Sequence, residues 1–535
     1  MIKLPKRETL SLVSLHGWSG ILLGFGLYVV IATGTIAVLA EEILHWSVGD
    51  VREGNPLESD LDAIVSKLVD QTDPEYREEI GLQASSRGNL QAYLHTHREN
   101  ESGMIEDYGV QYEVDPETHE ILSETVGTGE EVFNADQYAA LEHFLVKVHV
   151  ALHMPSPWGL LVTGILGLAM MVAAVSGFLM HRHLFANIFV LRRGRNLLAK
   201  KSDAHTVAGT WGLPFAFILA FTGSFFSFAG SFGIPAMAMV AFGGDQEAMI
   251  RTLIGSPATE GEKEVPTVFL NEILQDSAER VGEAPSFLSV SHYGREDSKV
   301  LSFSDAPENS LEPVQLEYNG VTGELVQEKP QLGLVPSAGS AAFTIIGPLH
   351  FGTFAGLLSK IVWVALGFAS CYVTATGLSL WVERRDGSWQ RYLYFVHAVS
   401  IGLPIALLAA AVAYFLSIRW AANTLFWLPA TFVGASILCL LAASLLKSAL
   451  KFKRALLWIC GALCLLLPIL RLMFGGISWL SALEQGNTAV PMMDSLLVLS
   501  ALYCFWVARG QRERAAKKQI NQQDMIEKPD AVATT

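Results

Sequence analysis

Several histidines lie at the borders of long apolar runs, where an ionisable side chain is costly and usually serves a function. A neutral imidazole offers a nitrogen lone pair to a metal ion, and two imidazoles on opposite sides of a planar macrocycle hold low-spin haem iron. The pattern indicates ligation of haem iron near both surfaces of a membrane. The candidate cofactor ligands are, in chain order, His16, His149, His153, His205, His350 and His397.

The composition indicates that these histidines belong to a membrane protein. The 535 residues are 51% hydrophobic and only 17% charged, which is too little charge for a soluble enzyme of this size. About 20 mainly apolar residues are needed to cross a bilayer, and eight segments meet that length. We therefore predict an all-α polytopic membrane protein of about eight transmembrane helices, with a four-helix haem-binding core and two small α+β domains outside the membrane.

Lysine and arginine cluster in every second flank of the spans. The positive-inside rule therefore predicts cytoplasmic termini and two exported domains. The exported segments are acidic: residues 46–150 carry 23 acidic and 6 basic side chains, and residues 243–350 carry 17 and 6. The first span is too long and continuously apolar for a cleaved signal and is predicted to be retained.

The predicted organisation follows the alternation of spans and polar segments. Its parts are transmembrane helix 1 (10–42), exported domain 1 (46–148), transmembrane helix 2 (149–183), a basic cytoplasmic loop (184–204), transmembrane helix 3 (205–232), exported domain 2 (243–345), transmembrane helix 4 (350–385), a C-terminal four-helix extension (397–508) and a cytoplasmic tail (509–535).

The two exported segments have related patterns. "YEVDPETHEIL" in the first aligns with "LEYNGVTGELV" in the second, which places Asp115 on Asn319 and Thr118 on Thr322. Each pattern is typical of a strand, a tight turn and a returning strand, and a helical pattern lies upstream of each. Ser-Gly or Thr-Gly also recurs late in each of the first four spans, at residues 33–34, 176–177, 222–223 and 376–377. Both observations indicate a duplicated unit of span, exported domain and span.

Two ligand pairs follow from the predicted topology. Alternate helices of a four-helix bundle are diagonal neighbours, so His16 and His205 can meet at the cytoplasmic side. His149 or His153 can meet His350 at the outer side, and His149 and His153 would share one face if that segment is helical. The glycines of the spans can serve close helix packing or make room for a ring, and both interpretations remain open.

The remaining polar residues are predicted to have ordinary roles. His45 is expected at the interface, His143 in packing or at the surface, and His181 and His183 in a basic flank. His95, His97, His119 and His292 are expected at the surface of the exported domains. All five cysteines fall in spans as apolar filler, and Arg471 and Asp494 are expected to form a structural ion pair.

Four segments in fixed order carry a family resemblance: "LHGWSGILLGFGLYVVIATG", "KVHVALHMPSPWG", "DAHTVAGTWGLPFAFILAFTG" and "LHFGTFAGLLSKIVWVALGFASCYVTATGLSLWVERR". Over about residues 10–385, the chain resembles the PepSY-associated transmembrane (iron-regulated membrane protein) family, and the exported segments resemble PepSY domains. The resemblance implies b-type haems that are bound through membrane histidines. His16, His149, His205 and His350 occupy the recurrent histidine positions. The resemblance also implies reduction of ferric siderophores in the periplasm from the inner membrane of Gram-negative bacteria.

The resulting expectation is an inner-membrane oxidoreductase with two haems b, which moves electrons outward to a periplasmic ferric siderophore or another metal chelate. The chain has no dinucleotide- or flavin-binding pattern, so a quinol, a cytoplasmic reductase or another partner must supply the electrons. His397 could serve the inner haem or a donor site, and no residue is assigned a catalytic role beyond ligation. The bilayer is the other expected partner, and nucleic acid is not one. The alternatives are a metal or siderophore permease, and a sensor or regulatory protein on a passive anchor.

Overall fold

The computed structural model describes residues 5–49, 51–52, 54–99, 105–180, 197–245, 248–249, 263–265, 269–306, 312–330, 333, 336–385, 389, 391–446 and 448–527, with backbone alone at 197, at 234–235 and from 511 onward. The helices are α1 (Lys6–Ala37), α2 (Ala40–Val48), α3 (Leu61–Gln71), α4 (Gly129–Ala135), α5 (Ala140–Ala151), α6 (Trp158–Met180), α7 (Leu197–Trp211), α8 (Leu213–Phe228), α9 (Ile234–Ala241), α10 (Leu270–Val281), α11 (Ala338–Phe351), α12 (Gly356–Glu383), α13 (Tyr392–Ser400), α14 (Gly402–Arg419), α15 (Thr424–Leu445), α16 (Ala449–Met473), α17 (Trp479–Glu484) and α18 (Ala489–Glu527). The strands are β1 (Glu79–Ala84), β2 (Leu90–Glu99), β3 (Ile105–Val114), β4 (Ile121–Thr128), β5 (Phe287–Ser291), β6 (Lys299–Ser304), β7 (Val314–Asn319) and β8 (Leu325–Lys329).

The described residues contain eight helical segments long and apolar enough to cross a membrane, which confirms the expected number of spans. They are Lys6–Ala37, Trp158–Met180, Leu213–Gly233, Gly356–Glu383, Tyr392–Arg419, Thr424–Leu445, Ala449–Met473 and Ala489–Gly510. Large apolar side chains such as Leu22, Phe221 and Leu358 are exposed on these segments, as expected for surfaces that lipid covers. The chain is therefore a multi-pass membrane protein.

The second and fourth spans do not begin where the sequence indicated. The predicted helix 149–183 is two helices, because α5 ends at Ala151 and the next residue, Leu152, adopts a left-handed backbone conformation. The predicted helix 350–385 is broken in the same way, since Gly352 follows α11 with a φ of 73°. Pro155 and Pro157 disfavour a continuous helix after α5, and Gly352 adopts the positive φ after α11 without steric strain. Most of the predicted basic loop, residues 184–196, lies outside the described residues.

In the described parts of the two polar segments, the expected upstream helix and hairpin are present, and four antiparallel strands follow that helix in each copy. α3 precedes β1–β4, and α10 precedes β5–β8. The matched turns are alike in atomic detail, because the Asp115 side chain accepts hydrogen bonds from the backbone of Glu117 and Thr118 at 2.9 Å each. The Asn319 side chain accepts the equivalent pair from Val321 and Thr322 at 2.9 and 3.0 Å. The duplication is thus present in local structure as well as in sequence.

The sequence did not indicate that the two copies join into one sheet. β1 pairs antiparallel with β5, which gives eight strands in the order β4-β3-β2-β1-β5-β6-β7-β8. The helices α3 and α10 cap each other on one side of this sheet. The Asn271 side chain accepts a hydrogen bond from the Leu61 backbone, and the Asp62 side chain accepts one from the Leu270 backbone, both at 2.8 Å. Each helix N-terminus therefore receives a hydrogen-bond acceptor from the other copy, and Asp60 also caps α3 from within its own copy.

The core of the sheet lies between its strands and these two helices. Alternate residues of β1 and β2, such as Ile80, Leu82 and Leu94, are fully buried against α3. The equivalent residues Leu288 and Val290 of β5 belong to the same core. Because side chains alternate between the faces of a strand, the intervening residues form a separate polar face.

The chain divides into two compact units. One contains Met1–Thr33, Val175–Trp211 and Ala369–Thr535, and the other contains Gly34–Ala174 and Gly212–Phe368. The sheet belongs to the second unit, and the C-terminal helices α13–α18 belong to the first. Each unit includes parts of the first four spans.

The C-terminal helices of the first unit enclose the predicted ion pair. Arg471 of α16 and Asp494 of α18 are both buried, with Nη2 and Oδ2 2.6 Å apart. Asp494 also accepts a hydrogen bond from the Trp479 indole at 2.8 Å, and Arg471 donates one to the Ile477 carbonyl. The structural interpretation of this pair is confirmed. Cys439, Cys460 and Cys464 are packed in the same apolar core, as predicted.

We predict that Arg471→Met lowers the stability of the protein by about 3–5 kcal/mol, since it leaves the Asp494 carboxylate buried without its counter-ion. The double variant Arg471→Met/Asp494→Leu should be much less destabilised, because neither charge then remains. Thermal unfolding of the detergent-solubilised chain measures both effects. Arg419→Met is the control, since Arg419 is exposed at the end of α14; an Arg471→Met shift no larger than this control would contradict the prediction.

Candidate functional site

The first histidine pair consists of His16 and His205, which lie in α1 and α7. Their ring centres are 6.4 Å apart, and the ring planes are inclined at 71°. Both side chains are half-buried, and both belong to the same compact unit. The structure therefore brings together the two residues that the sequence placed at the beginnings of the first and third spans.

The second histidine pair consists of His149 and His350, at the C-terminal ends of α5 and α11. Their ring centres are 6.3 Å apart, and the planes are inclined at 20°. This pair belongs to the other compact unit. Because α5 and α11 both end just after their histidine, His149 and His350 lie at the ends of short helices rather than within the spans that follow.

Polar groups of neighbouring helices orient three of these rings through Nδ1. His205 Nδ1 lies 3.0 Å from the Val373 carbonyl oxygen, which can only accept a hydrogen bond. His350 Nδ1 lies 2.8 Å from Thr222 Oγ1, and that hydroxyl already donates its hydrogen to the Ile218 carbonyl. These networks assign the proton to Nδ1 in both rings, which leaves the lone pair on Nε2. His16 Nδ1 lies 3.3 Å from Ser176 Oγ in a related contact.

A glycine of an adjacent helix lies against each of the four rings. A Cβ added at Gly34 would lie 2.6 Å from His149 Cε1, and one at Gly223 would lie 3.0 Å from His350 Cε1. The same construction gives 3.3 Å between Gly177 and His16, and 3.1 Å between Gly377 and His205. Any larger residue would therefore press on the ring. At these four positions, the glycines make room for a ring, whereas Gly24 and Gly164 serve close packing against Leu378 and Phe228.

The sequence leaves open whether the glycines of the spans serve close packing or make room for a ring, and it indicates only a duplication from the repeated Ser-Gly and Thr-Gly pairs. The structure shows that the glycines of these pairs contact the four histidines. The contacts are reciprocal within each helix pair: the second span supports His16 and the first supports His149. The fourth span supports His205 and the third supports His350. A small residue at the same depth as a histidine, on the partner helix, is the signal that could have revealed this role.

The two other candidate ligands have different surroundings. His153 follows the end of α5 with a φ of 54°, so the helical condition for a shared face with His149 is not met. Its ring contacts Phe144, with centres 5.6 Å apart, and burial lowers its pKa. His397 lies in α13, where Lys201 and Lys453 are its charged neighbours.

The histidines expected at the surface differ more than the sequence suggested. His95 is only 7% exposed, so the surface prediction is wrong for this residue. His292 contacts Asp297 at 2.9 Å and is mostly buried, whereas His45 is exposed. His143 stacks on Phe133 with ring centres 3.9 Å apart, in agreement with a packing role. His181 and His183 lie outside the described residues.

The spacing of both pairs fits a metal ion between two imidazoles. An imidazole nitrogen binds a first-row metal ion at about 2.0–2.1 Å and the ring centre lies roughly 1.1 Å behind it, so two rings on opposite sides of one ion have centres about 6.3 Å apart. The separations of 6.4 and 6.3 Å match that value. Rotation of a ring about its nitrogen–metal axis leaves this separation unchanged, so the different plane angles are both compatible with it. The two ring separations are therefore compatible with a metal ion, such as the iron of a haem, held between the imidazoles of each pair.

Comparison with known proteins places most of these residues in one family. The family model described as the PepSY-associated TM region matches residues 13–384. This interval includes both histidine pairs, their glycines and the whole sheet, and it ends before the C-terminal helices. An uncharacterised protein of Pseudomonas aeruginosa is 27% identical over 340 residues, which cover 60% of this chain and 84% of that protein.

We predict that Gly34→Ala destabilises the protein, whereas Gly20→Ala in the same helix does not. The added methyl group at Gly34 would meet the His149 ring, but at Gly20 nothing lies within 4 Å. Alanine is favoured over glycine in a helix interior by about 1 kcal/mol, so Gly20→Ala should be neutral or slightly stabilising. Apparent melting temperatures of the two purified variants measure the difference. Equal shifts would show that the glycine contact is unimportant.

Proposed function

The chain belongs to the family of proteins with a PepSY-associated TM region, and we propose that it is an inner-membrane di-haem oxidoreductase that delivers electrons to a periplasmic ferric siderophore. In this proposal, His16 and His205 hold one haem b, and His149 and His350 hold the other. The two halves of the sheet are PepSY-like domains on the periplasmic side. The observation that carries the proposal is the separation of about 6.3 Å between the rings of both pairs.

The hydrogen bonds at Nδ1 support ligation through Nε2. A ligand histidine commonly donates its other ring N–H to a carbonyl or a hydroxyl group, which fixes the ring orientation and increases the basicity of the ligating nitrogen. His205 has the Val373 carbonyl in this role, and His350 has Thr222. The chain therefore supplies both the ligands and the groups that hold them in place.

The aromatic side chains beside His350 support a site with restricted access to water. Phe226 and Phe351 contact the ring, with centres 5.6 and 5.5 Å from that of His350. Neutral ligands in apolar surroundings stabilise the less charged state of a metal centre, because charge is poorly solvated there. We infer that these residues adjust the reduction potential of the outer site.

A b-type haem, when bound, supplies reversible one-electron transfer between ferric and ferrous iron. The positive-inside pattern of the sequence assigns the first histidine pair to the cytoplasmic side and the second to the periplasmic side. Electrons then enter from a quinol or a cytoplasmic reductase and leave toward the periplasm. One electron converts a ferric chelate into a ferrous one, which hard oxygen ligands hold less strongly.

His397 and His153 have other places in this proposal. His397, with Lys201 and Lys453 nearby, is a candidate for the donor side of the protein, where cations favour an anionic form of a quinone. His153 follows the second pair along the chain and is a candidate group on the acceptor side. Neither residue is required as a haem ligand.

We predict that the purified protein contains two haems with bis-histidine spectra and that each pair can be lost separately. His16→Ala should remove one haem and His350→Ala the other, because a single imidazole binds haem iron less tightly than two. The measurements are haem content per chain and the dithionite-reduced spectrum. His45→Ala, which removes an exposed histidine, is the control. An absence of haem from the native protein, or two haems retained in both variants, would refute the ligand assignment.

We predict that the dithionite-reduced protein is reoxidised by a ferric siderophore under anaerobic conditions and that Fe(II) is trapped by a ferrous chelator in the same mixture. His149→Ala should slow this reaction at least tenfold, because it removes a ligand of the outer site, whereas His45→Ala should not. Stopped-flow absorption of the haem measures the rate. Uptake of a ferric siderophore into vesicles with no change in the iron oxidation state would instead favour the permease alternative.

A further inference from the structure

Two histidines and two carboxylates converge on the polar face of the first half of the sheet. His95 and His97 are separated by one residue in β2, so their side chains project from the same face. Glu79 of β1 is directly opposite His95, and Asp107 of β3 is directly opposite His97. Strand register therefore assembles four side chains with metal-ligating atoms from three adjacent strands.

The ligating atoms of this cluster are close together but too far apart for strong hydrogen bonds with one another. Glu79 Oε2 lies 4.0 Å from His95 Nε2 and 3.8 Å from His97 Nε2. Asp107 Oδ1 lies 3.4 Å from His97 Nε2. An N–H···O hydrogen bond is normally about 2.7–3.2 Å long, whereas donors about 2.1 Å from a tetrahedral metal ion are separated by about 3.4 Å. The ligating atoms of Glu79, His95 and His97 all lie within 4.8 Å of one another, which is a slightly expanded form of that spacing, and Asp107 adjoins this group beside His97.

Contacts at the far sides of the ligands orient them toward this common point. His95 Nδ1 lies 3.4 Å from the Tyr93 carbonyl oxygen, and His97 Nδ1 lies 3.5 Å from Glu78 Oε1. Both rings therefore direct Nε2 toward the cluster. Ser289 of β5 donates a hydrogen bond to Glu79 Oε1 at 2.5 Å, which leaves Oε2 for the cluster. Such outer contacts are typical of metal-binding histidines and carboxylates.

The sheet is built to accommodate the buried imidazole. The His95 ring stacks on Tyr93, with centres 4.5 Å apart and planes inclined at 12°. Gly109 is the cross-strand partner of His95 in β3. A Cβ added there would lie 2.8 Å from His95 Cβ and 2.0 Å from the Leu94 carbonyl oxygen. The glycine is therefore required by the close approach of the two strands at this ring.

The surrounding charges favour a cation. Carboxylate oxygens of Glu78, Glu79 and Asp107 lie 3.5, 3.8 and 3.4 Å from the ring nitrogens of His97. The Nε2 atom of the buried His95 lies 4.0 Å from Glu79 Oε2, which is beyond hydrogen-bond distance. A cation between these groups would be attracted by the three carboxylates.

We propose that Glu79, His95, His97 and Asp107 form a binding site for a divalent first-row transition-metal ion. Two imidazole nitrogens and two carboxylate oxygens suit zinc, ferrous iron, nickel and manganese, whereas calcium and magnesium prefer oxygen ligands alone. Among the described residues, Glu79, His95 and His97 are the one group of three or more such side chains with mutually close ligating atoms, and Asp107 is the proposed fourth ligand. The site does not depend on the haem ligands. Under the proposed function, it offers a place for ferrous iron released from a reduced chelate.

Calorimetric titration of the full-length, chelator-treated protein with Zn²⁺ tests the proposal, with Ca²⁺ and Mg²⁺ titrated separately. We expect one Zn²⁺ per chain at this site and no comparable binding of the other two ions. His95→Gln/His97→Gln and Glu79→Gln should each weaken Zn²⁺ binding by about 100-fold, because each removes ligands from a preformed set. Glu79→Gln retains an oxygen that can accept the Ser289 hydrogen bond, so it tests ligation with the least effect on folding.

His119→Asn is the matched control, because it removes an imidazole from the same domain at a turn position that asparagine tolerates. It should bind Zn²⁺ like the native protein. The haem spectra of all variants should be the same as that of the native protein. Loss of Zn²⁺ binding can therefore be distinguished from loss of the haems on which the proposed function depends. The proposal is overturned if the native protein binds no Zn²⁺, or if its affinity is unchanged in both His95→Gln/His97→Gln and Glu79→Gln.

Discussion

An imidazole ring can lie against a neighbouring helix only where that helix leaves space for it. Glycine provides the space, and the four rings of the two histidine pairs each contact one glycine. For His16, His205 and His350, the residue just before that glycine also brings an oxygen to the ring's Nδ1. Close approach and orientation thus come from one dipeptide. The rings reach their separation of about 6.3 Å because the helices that carry them are packed through these contacts.

This constraint connects the irregular parts of the fold with the site. α5 and α11 end in left-handed residues, Leu152 and Gly352, immediately before the second and fourth spans. A continuous helix would place His149 and His350 on the same cylinder as the span that follows. The breaks give these histidines a separate direction of approach. Each interruption therefore separates the direction in which a histidine is carried from the direction of the span that follows it.

Duplication has different consequences in the membrane segments and in the sheet. In the membrane segments, each helix pair exchanges support, since one helix carries the histidine and its partner carries the glycine. In the sheet, β1 and β5 would each be an exposed edge in a separate copy, and their pairing removes both edges. The reciprocal caps formed by Asp62 and Asn271 stabilise the same junction. Two equivalent copies therefore make one continuous surface, but its polar face is not symmetric, because only the first copy carries His95 and His97 opposite carboxylates.

The sequence by itself determined the features that depend on short-range patterns. Apolar runs gave the eight spans, because the thickness of a bilayer sets their length. The turns at Asp115 and Asn319 could be predicted because each side chain bonds to the backbone two and three residues ahead. The positions of the histidines relative to the spans were enough to suggest that His16 meets His205 and that His149 or His153 meets His350.

Only the tertiary structure decided the contacts made between distant segments. The roles of Gly34 and Gly223 depend on helix rotation, which a hydrophobic run does not specify when the helix is apolar all around. The burial of His95 depends on Tyr93, on Gly109 of the next strand and on the register that places Glu79 opposite it. A shift of one residue in that register would turn these side chains to the other face. Packing and cross-strand register, unlike helix length or turn chemistry, are properties of several segments together.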